Sequence, residues 1–264
     1  MTPRPVTPRL VTPLRATTER DGQLVRLLLD RPKANVLDAE LVGALRDAIR
    51  SLDRDGPIKL LVFEGAGSHF SFGASVPEHL PGQVRGMLAA FHALFREIEA
   101  VGVPTAAIVR GQCLGGGFEL ATACGHVVCD PTARFALPEI TLGVFPPVAA
   151  ATLSWRVPGA VVTRLVLSGE VVPGPEAVRI GLADACADDA EVAMQAWFDR
   201  VLAPRSAVAL RFAWRAARRP MTRLLTDELA AVEALYLDEL MACRDPVIGL
   251  DAFLAKTPPT WEHR

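Results

Sequence analysis

The 264-residue sequence predicts an α/β fold, and three features predict it. Short apolar runs alternate with segments of helical periodicity through the first half of the chain. Beyond Thr152 the pattern is almost wholly helical. Between these regions a glycine-rich turn, Gly115-Gly116-Gly117, joins a strand candidate to an apolar helix candidate. Strand–helix alternation followed by a helical tail fits an α/β core with a C-terminal helical region.

The elements follow in order. Thr2-Pro3, Thr7-Pro8-Arg9 and Thr12-Pro13 crowd the N-terminus with proline, which lacks a backbone donor. Residues 1–15 are therefore expected as an extended or disordered arm, with order beginning near Ala16. Leu24 to Leu29 reads as a strand, and Leu37, Leu41, Leu45, Ile49 and Leu52 carry helical spacing. Leu60-Leu61-Val62-Phe63 is a short buried strand ending at Gly65-Ala66-Gly67. Gln83 to Val101 is a long helix with Met87, Phe91, Leu94, Phe95 and Ile98 on one face. Thr105 to Val109, His126 to Cys129 and Ala133 to Leu137 are further strands. The tail predicts helices over Val161 to Leu167, Glu176 to Ile180, Asp189 to Leu202, Ser206 to Ala217 and Leu224 to Ala242. No clean linker interrupts the chain, so the reading is one domain: a 16–200 core holding the active site and a 201–264 helical region.

Composition narrows the function. A formal charge of −2 without a Lys/Arg stripe argues against nucleic acid as a partner. Arg215, Arg218 and Arg219 read as a solvated helix face. Cys113, Cys124, Cys129, Cys186 and Cys243 are odd in number and lack CxxC spacing, and the histidines form no metal pattern, so neither disulfide framework nor metal site is expected. No apolar run is long enough to cross a bilayer, and no signal-peptide stretch opens the chain, so the expected location is the cytoplasm.

The chemistry concentrates around the glycine turn. Amide groups at a helix start have no intrahelical partner, and the aligned peptide dipoles favour negative charge there. A developing oxyanion would be stabilised at such a point. Glu119 sits in the first turn of the apolar segment FELATAC, and Glu139, twenty residues later, stands alone in RFALPEITLGVF. A carboxylate among apolar neighbours is costly unless it has a partner or a task. Taken singly, Glu119 fits a dipole-stabilised carboxylate and Glu139 a turn cap after Pro138. Together, beside a candidate oxyanion site, they point to acid/base chemistry on an activated carbonyl compound. Other motifs are missing: no GxGxxG follows the first strand, no GK[ST] closes the glycine cluster, and no GxSxG elbow exists. Ser71 and Ser75, with His69 and His79 nearby in sequence, do not make a triad, which is recognised by geometry.

Four segments, in order, resemble the crotonase (enoyl-CoA hydratase/isomerase) superfamily over about Ala16 to Arg264. They are RPKANVL from Arg31, FSFGAS from Phe70, IVRGQCLGGGFEL from Ile108 and FALPEITLG from Phe135; the ending AFLAKTPPTW from Ala252 also matches. The resemblance implies a spiral of ββα units with a C-terminal helical trimerisation region, assembled as trimers or paired trimers. It implies an acyl-CoA thioester substrate, with no cofactor beyond the coenzyme A of that substrate. The thioester oxygen would be held by the N–H groups of Ala74 and Gly116, and Glu119 and Glu139 would act around a water molecule. Lys33, Ala34, Ser71, Gly73, Leu114, Phe253 and Lys256 match positions that bind coenzyme A. Both carboxylates being present favours hydration or its reverse.

Departures from the usual pattern suggest the branch that hydrates cyclic dienoyl-CoA thioesters. Gly73-Ala74-Ser75 stands where Gly-Ala-Asp is usual, and Phe145-Pro146-Pro147-Val148-Ala149-Ala150 replaces a glycine-rich run. Phe72, Phe145, Pro147 and Val148 are the expected walls of the acyl pocket, with Pro147 removing a backbone donor. Packing variation in a straight-chain hydratase is the alternative. A dehydratase or decarboxylase on a carrier-protein-bound acyl group, and a non-catalytic scaffold, are the others.

Overall fold

The computed structural model describes residues 12–32 and 34–264. A six-stranded sheet runs β1-β2-β3-β4-β6-β9: β1 Leu14–Glu19, β2 Leu24–Leu29, β3 Leu60–Gly65, β4 Thr105–Val109, β6 His126–Cys129 and β9 Ala185–Cys186. The β1–β2 hairpin is antiparallel and every later pairing in that sheet is parallel. The first strand begins at Leu14, so order starts ahead of the expected Ala16; Leu14 pairs with Leu29. The notion of an arm otherwise falls on residues outside the described ones.

Every residue of β3 is buried because both faces of the parallel sheet are covered. Leu61 and Phe63 enter the larger core with α1 (Ala39–Arg50) and α2 (Val84–Val101). Leu60 and Val62 pack on the opposite face against Met194 of the helix Ala190–Trp197 and against Phe198 and Leu202, which follow it. Asp38 caps α1 by accepting from the Leu41 amide, and Gly102 ends α2 in the left-handed conformation.

A second sheet, β5-β7-β8, positions the site. Its members are β5 Gln112–Leu114, β7 Arg134–Ala136 and β8 Val172–Pro173. The first of these was not expected, since three residues carry no readable periodicity. Next come α3 (Gly116–Ala123) and α4 (Pro147–Thr152), with a 3₁₀ turn, Pro138–Leu142, between them in sequence.

The tail departs from expectation. The single helix expected over Leu224 to Ala242 is a π-helical turn (Leu224–Glu228), an α-helix (Leu229–Ala234), a second π turn (Leu235–Glu239) and a 3₁₀ turn (Leu240–Ala242). The wider turns accompany burial of Leu225, Leu229 and Tyr236 along one side of this segment. Among the described residues, no helix is long and apolar enough to cross a membrane.

Candidate active site

Parallel pairing explains how two glutamates distant in sequence meet. Leu114 of β5 is in register with Ala136 of β7, and the Gly115 amide donates to the Ala136 carbonyl (2.9 Å). The chain then leaves the two adjacent strands at the same level, into α3 on one side and the Pro138–Leu142 turn on the other. Gly115 has φ +50°, and a Cβ there would lie 2.6 Å from Glu139 Oε1. Glycine at this position therefore both permits the turn and leaves the space that the Glu139 carboxyl fills.

Glu119 is 3% exposed and its Oε1 accepts from the Ala149 amide (2.8 Å). The Ala149 and Val148 amides belong to the first turn of α4, which opens at Pro147, where the missing proline donor costs nothing. Glu139 is partly exposed as a residue, but its Oε2 is buried without a hydrogen-bond partner among the described residues. Burial, then the neighbouring Glu139 charge, pushes Glu119 well above the usual carboxylate range against the pull of the α4 amides. Burial pushes Glu139 up to about 7. Groups this strongly coupled titrate as a pair.

Ala74 and Gly116 lie side by side. A Cβ on Gly116 would sit 3.2 Å from the Ala74 nitrogen and 2.9 Å from the Phe91 ring, so no larger residue fits there. Gly73, at φ +96°, brings the loop close: its Cβ would lie 3.3 Å from the Gly116 nitrogen. Neither the Ala74 nor the Gly116 amide donates to any backbone carbonyl of the turns and loops, or to any side chain, among the described residues. Gly116 opens α3, where the first amides have no intrahelical acceptor. Two amide donors thus remain unengaged beside the carboxyl pair.

Other expected residues divide. Ala34 lies at φ +82° and its carbonyl accepts from Phe72 N–H (3.0 Å), tying the two segments together. Ser71 is fully buried, its hydroxyl donating to the Asn35 carbonyl (2.7 Å) and accepting from Gly73 N–H (3.1 Å). It holds the loop and has no surface for a ligand. Leu114 is partly buried, and its carbonyl would lie 2.8 Å from a Gly73 Cβ. Phe253 and Lys256 are exposed near the end of α11 (Asp245–Ala255), whose Gly249 packs against Leu142. Lys33 lies outside the described residues.

Of the acyl-wall residues, Phe72 is exposed and stacks edge-on with His69. Phe145 meets Tyr236 edge-on with ring centroids 5.2 Å apart. The Val148 side chain is wholly enclosed in the main core. Its backbone, with that of Ala149, is what faces Glu119. A mostly apolar cavity of about 270 Å³ adjoins the amide pair, sharing Leu37 and Phe91 with it; Ala39, Val42, Glu78, Gln83, Gly86, Met87 and Ala90 complete its walls. None of the four expected wall residues lines it.

Two residues escaped the sequence reading. Asn35, 3% exposed at φ +53°, directs its side-chain amide at the carbonyls of Ala66, His69 and Phe70 (3.1 Å each). It clamps the segment leading to Ala74, and its place in the PKAN string was the available signal. Tyr236, the chain's sole tyrosine, carries no motif.

Comparison with known proteins agrees with the α/β fold. The enoyl-CoA hydratase/isomerase family profile matches residues 19–264. The chain is 47% identical over 253 residues to cyclohexa-1,5-dienecarbonyl-CoA hydratase of Thauera aromatica, covering 96% of this chain and 98% of that one. It is 29% identical over 262 residues to carnitinyl-CoA dehydratase of Proteus mirabilis, covering 92% and 96%. The crystal structure of an enoyl-CoA hydratase from Mycobacterium avium subsp. paratuberculosis superposes with a TM-score of 0.83 at 26% identity, covering 95% of this chain and 99% of that one.

Proposed function

The chain belongs to the enoyl-CoA hydratase/isomerase family, and from that premise we propose that it adds water to a cyclic dienoyl-CoA thioester of the cyclohexa-1,5-diene-1-carbonyl type, or removes it in reverse. One observation carries the reading: two carboxyls pushed up by burial, with the Glu139 charge raising Glu119 further, stand beside two backbone amides that are unengaged among the described residues. The 47% identity to a hydratase of that name supports the cyclic substrate.

In this reading the thioester oxygen accepts hydrogen bonds from Ala74 and Gly116 N–H, each contributing a few kcal/mol (about 3) as negative charge develops. The carbonyl draws electrons from the conjugated system, and water attacks the electron-poor carbon. One glutamate accepts the water proton while the other, protonated, gives a proton to carbon. Two coupled carboxyls with raised pKa suit this division, since like charges at close range disfavour a second ionisation. The reaction needs no resident cofactor: coenzyme A enters as part of the substrate.

A trimer, or a dimer of trimers, is the assembly that goes with this reading. Exposed apolar residues such as Phe212 and Leu167, each 65% exposed, supply surface for such contacts. Sedimentation of a fully active monomer would contradict it.

The test is product analysis in ¹⁸O-labelled water. Purified protein given the cyclic dienoyl thioester should yield a ring alcohol carrying one ¹⁸O. Unchanged thioester, with label entering only a carrier-protein-bound substrate, would contradict the proposal.

A further inference from the structure

Tyr236 occupies an unusual place. It lies in the π-helical turn Leu235–Glu239, a wider turn of the kind often found at functional sites. Its ring is 1% exposed and packs with Phe145, Val144 and Leu142, the stretch that directly follows Glu139. The Val144 amide in turn donates to the Glu139 carbonyl (3.2 Å), so this stretch is tied to the glutamate's own turn. Nothing satisfies the phenol: its hydroxyl is buried with no hydrogen-bond partner among the described residues. Leaving a buried polar group unsatisfied costs about 1–3 kcal/mol, so each such group calls for an explanation.

A second orphan belongs to the turn to which this stretch is tied. Glu139 Oε2 is also buried, with no hydrogen-bond partner among the described residues. An ionised Glu139 Oε2 can only accept a hydrogen bond; the phenol can donate as well as accept. A water or alcohol oxygen placed between them would satisfy both, giving its hydrogen to Glu139 and receiving one from the phenol.

Building on the hydratase reading, we propose that Tyr236 holds the reacting oxygen: its hydroxyl donates to the water that is added, or to the alcohol that leaves, while Glu139 Oε2 accepts from that same oxygen. Burial, followed by the negative charge of Glu139 and then Glu119, pushes the phenol well above its ordinary pKa, so it stays a donor. The bookkeeping of the step is unchanged. A water O–H bond breaks toward one carboxylate, the C–O bond forms, and the other carboxyl releases its proton to carbon. The phenol keeps its proton throughout. Its part is to fix where the oxygen sits, and hence which carbon of the acyl group is attacked.

Tyr236→Phe tests this, because it removes one oxygen and keeps the ring against Phe145. Two measurements separate the role from a structural one. Calorimetry compares the binding of a ring-hydroxylated thioester with that of saturated cyclohexane-carbonyl-CoA. The variant should lose about tenfold in affinity for the hydroxylated ligand alone. Kinetics should show kcat/KM lowered by the same factor, ten- to a hundredfold, in both directions, with KM unchanged for the dienoyl thioester and raised about tenfold for the hydroxylated one, and thermal stability equal or higher, since an unsatisfied hydroxyl has been removed. Equal loss for both ligands, or wild-type kcat/KM in the variant, overturns the proposal. Wild-type protein that turns over no thioester overturns the hydratase reading instead, and the calorimetric comparison still decides the role of Tyr236.

Discussion

Replacing Glu139 by glutamine should make the protein increasingly more stable than its parent as pH rises. The carboxyl is pushed from its ordinary 4.5 up to about 7 by burial. A raised folded-state pKa means that its favourable contribution is fully present below about 4.5 and is lost as pH climbs through 7. One pKa step is worth 1.36 kcal/mol, so ionisation inside the fold costs about 3 kcal/mol at most. Partial exposure of the residue reduces the expectation to about 2 kcal/mol. Loss of the Glu139 charge also relieves Glu119, whose own pKa it raises, and this acts in the same direction. Glutamine preserves the size and cannot ionise. The assay is urea unfolding of both proteins from pH 5 to 8.5. The stability difference should be smallest at acid pH and should grow in favour of the variant to a plateau above the folded-state pKa. Parallel curves would refute the reasoning, as would a parent that gains on the variant with rising pH, because either result means that the carboxylate is comfortably charged in the fold.

Glu119→Gln and Glu139→Gln should each lower turnover by about a hundredfold or more while thioester affinity survives, checked by kcat alongside direct binding. Gly115→Ala places a Cβ 2.6 Å from Glu139 Oε1 at positive φ; it should displace the carboxyl and reduce kcat at least tenfold, with about 1 kcal/mol lost in unfolding experiments. Asn35→Ala removes the amide shared by three carbonyls and should cost about 2 kcal/mol, read by denaturation, with kcat falling as the Ala74 loop loosens. Combining Pro147→Gly with Phe72→Ala should remove a preference for cyclic over four-carbon thioesters, read from the ratio of kcat/KM values.

Legibility followed physical range. Leu24 to Leu29 was readable to the residue because five of its six residues are apolar, with Arg26 alone breaking the run. Helix α2 was legible from its apolar face. Glu119 and Glu139 stood out because a carboxylate in an apolar string is conspicuous without any knowledge of what it touches. What stayed hidden depends on tertiary neighbours. The three residues of β5 become a strand only through pairing with β7, and that pairing is what brings the glutamates together. Ser71 and Val148 carry the residue types expected near a ligand, but their side chains are taken up by Asn35 and the core. Tyr236 gives no signal at all: within ALYLDEL it reads as one more buried helix residue. The break of its helix into π turns is decided by packing, not by periodicity.

The central claim, hydration of a cyclic dienoyl thioester, is tested most directly by competition. Equal concentrations of cyclohexa-1,5-diene-1-carbonyl-CoA and crotonyl-CoA are offered to the wild-type protein, and both are followed by chromatography in one vessel. Consumption of the cyclic thioester first, with a ring alcohol as product, is the expected result; consumption of crotonyl-CoA first would contradict the account.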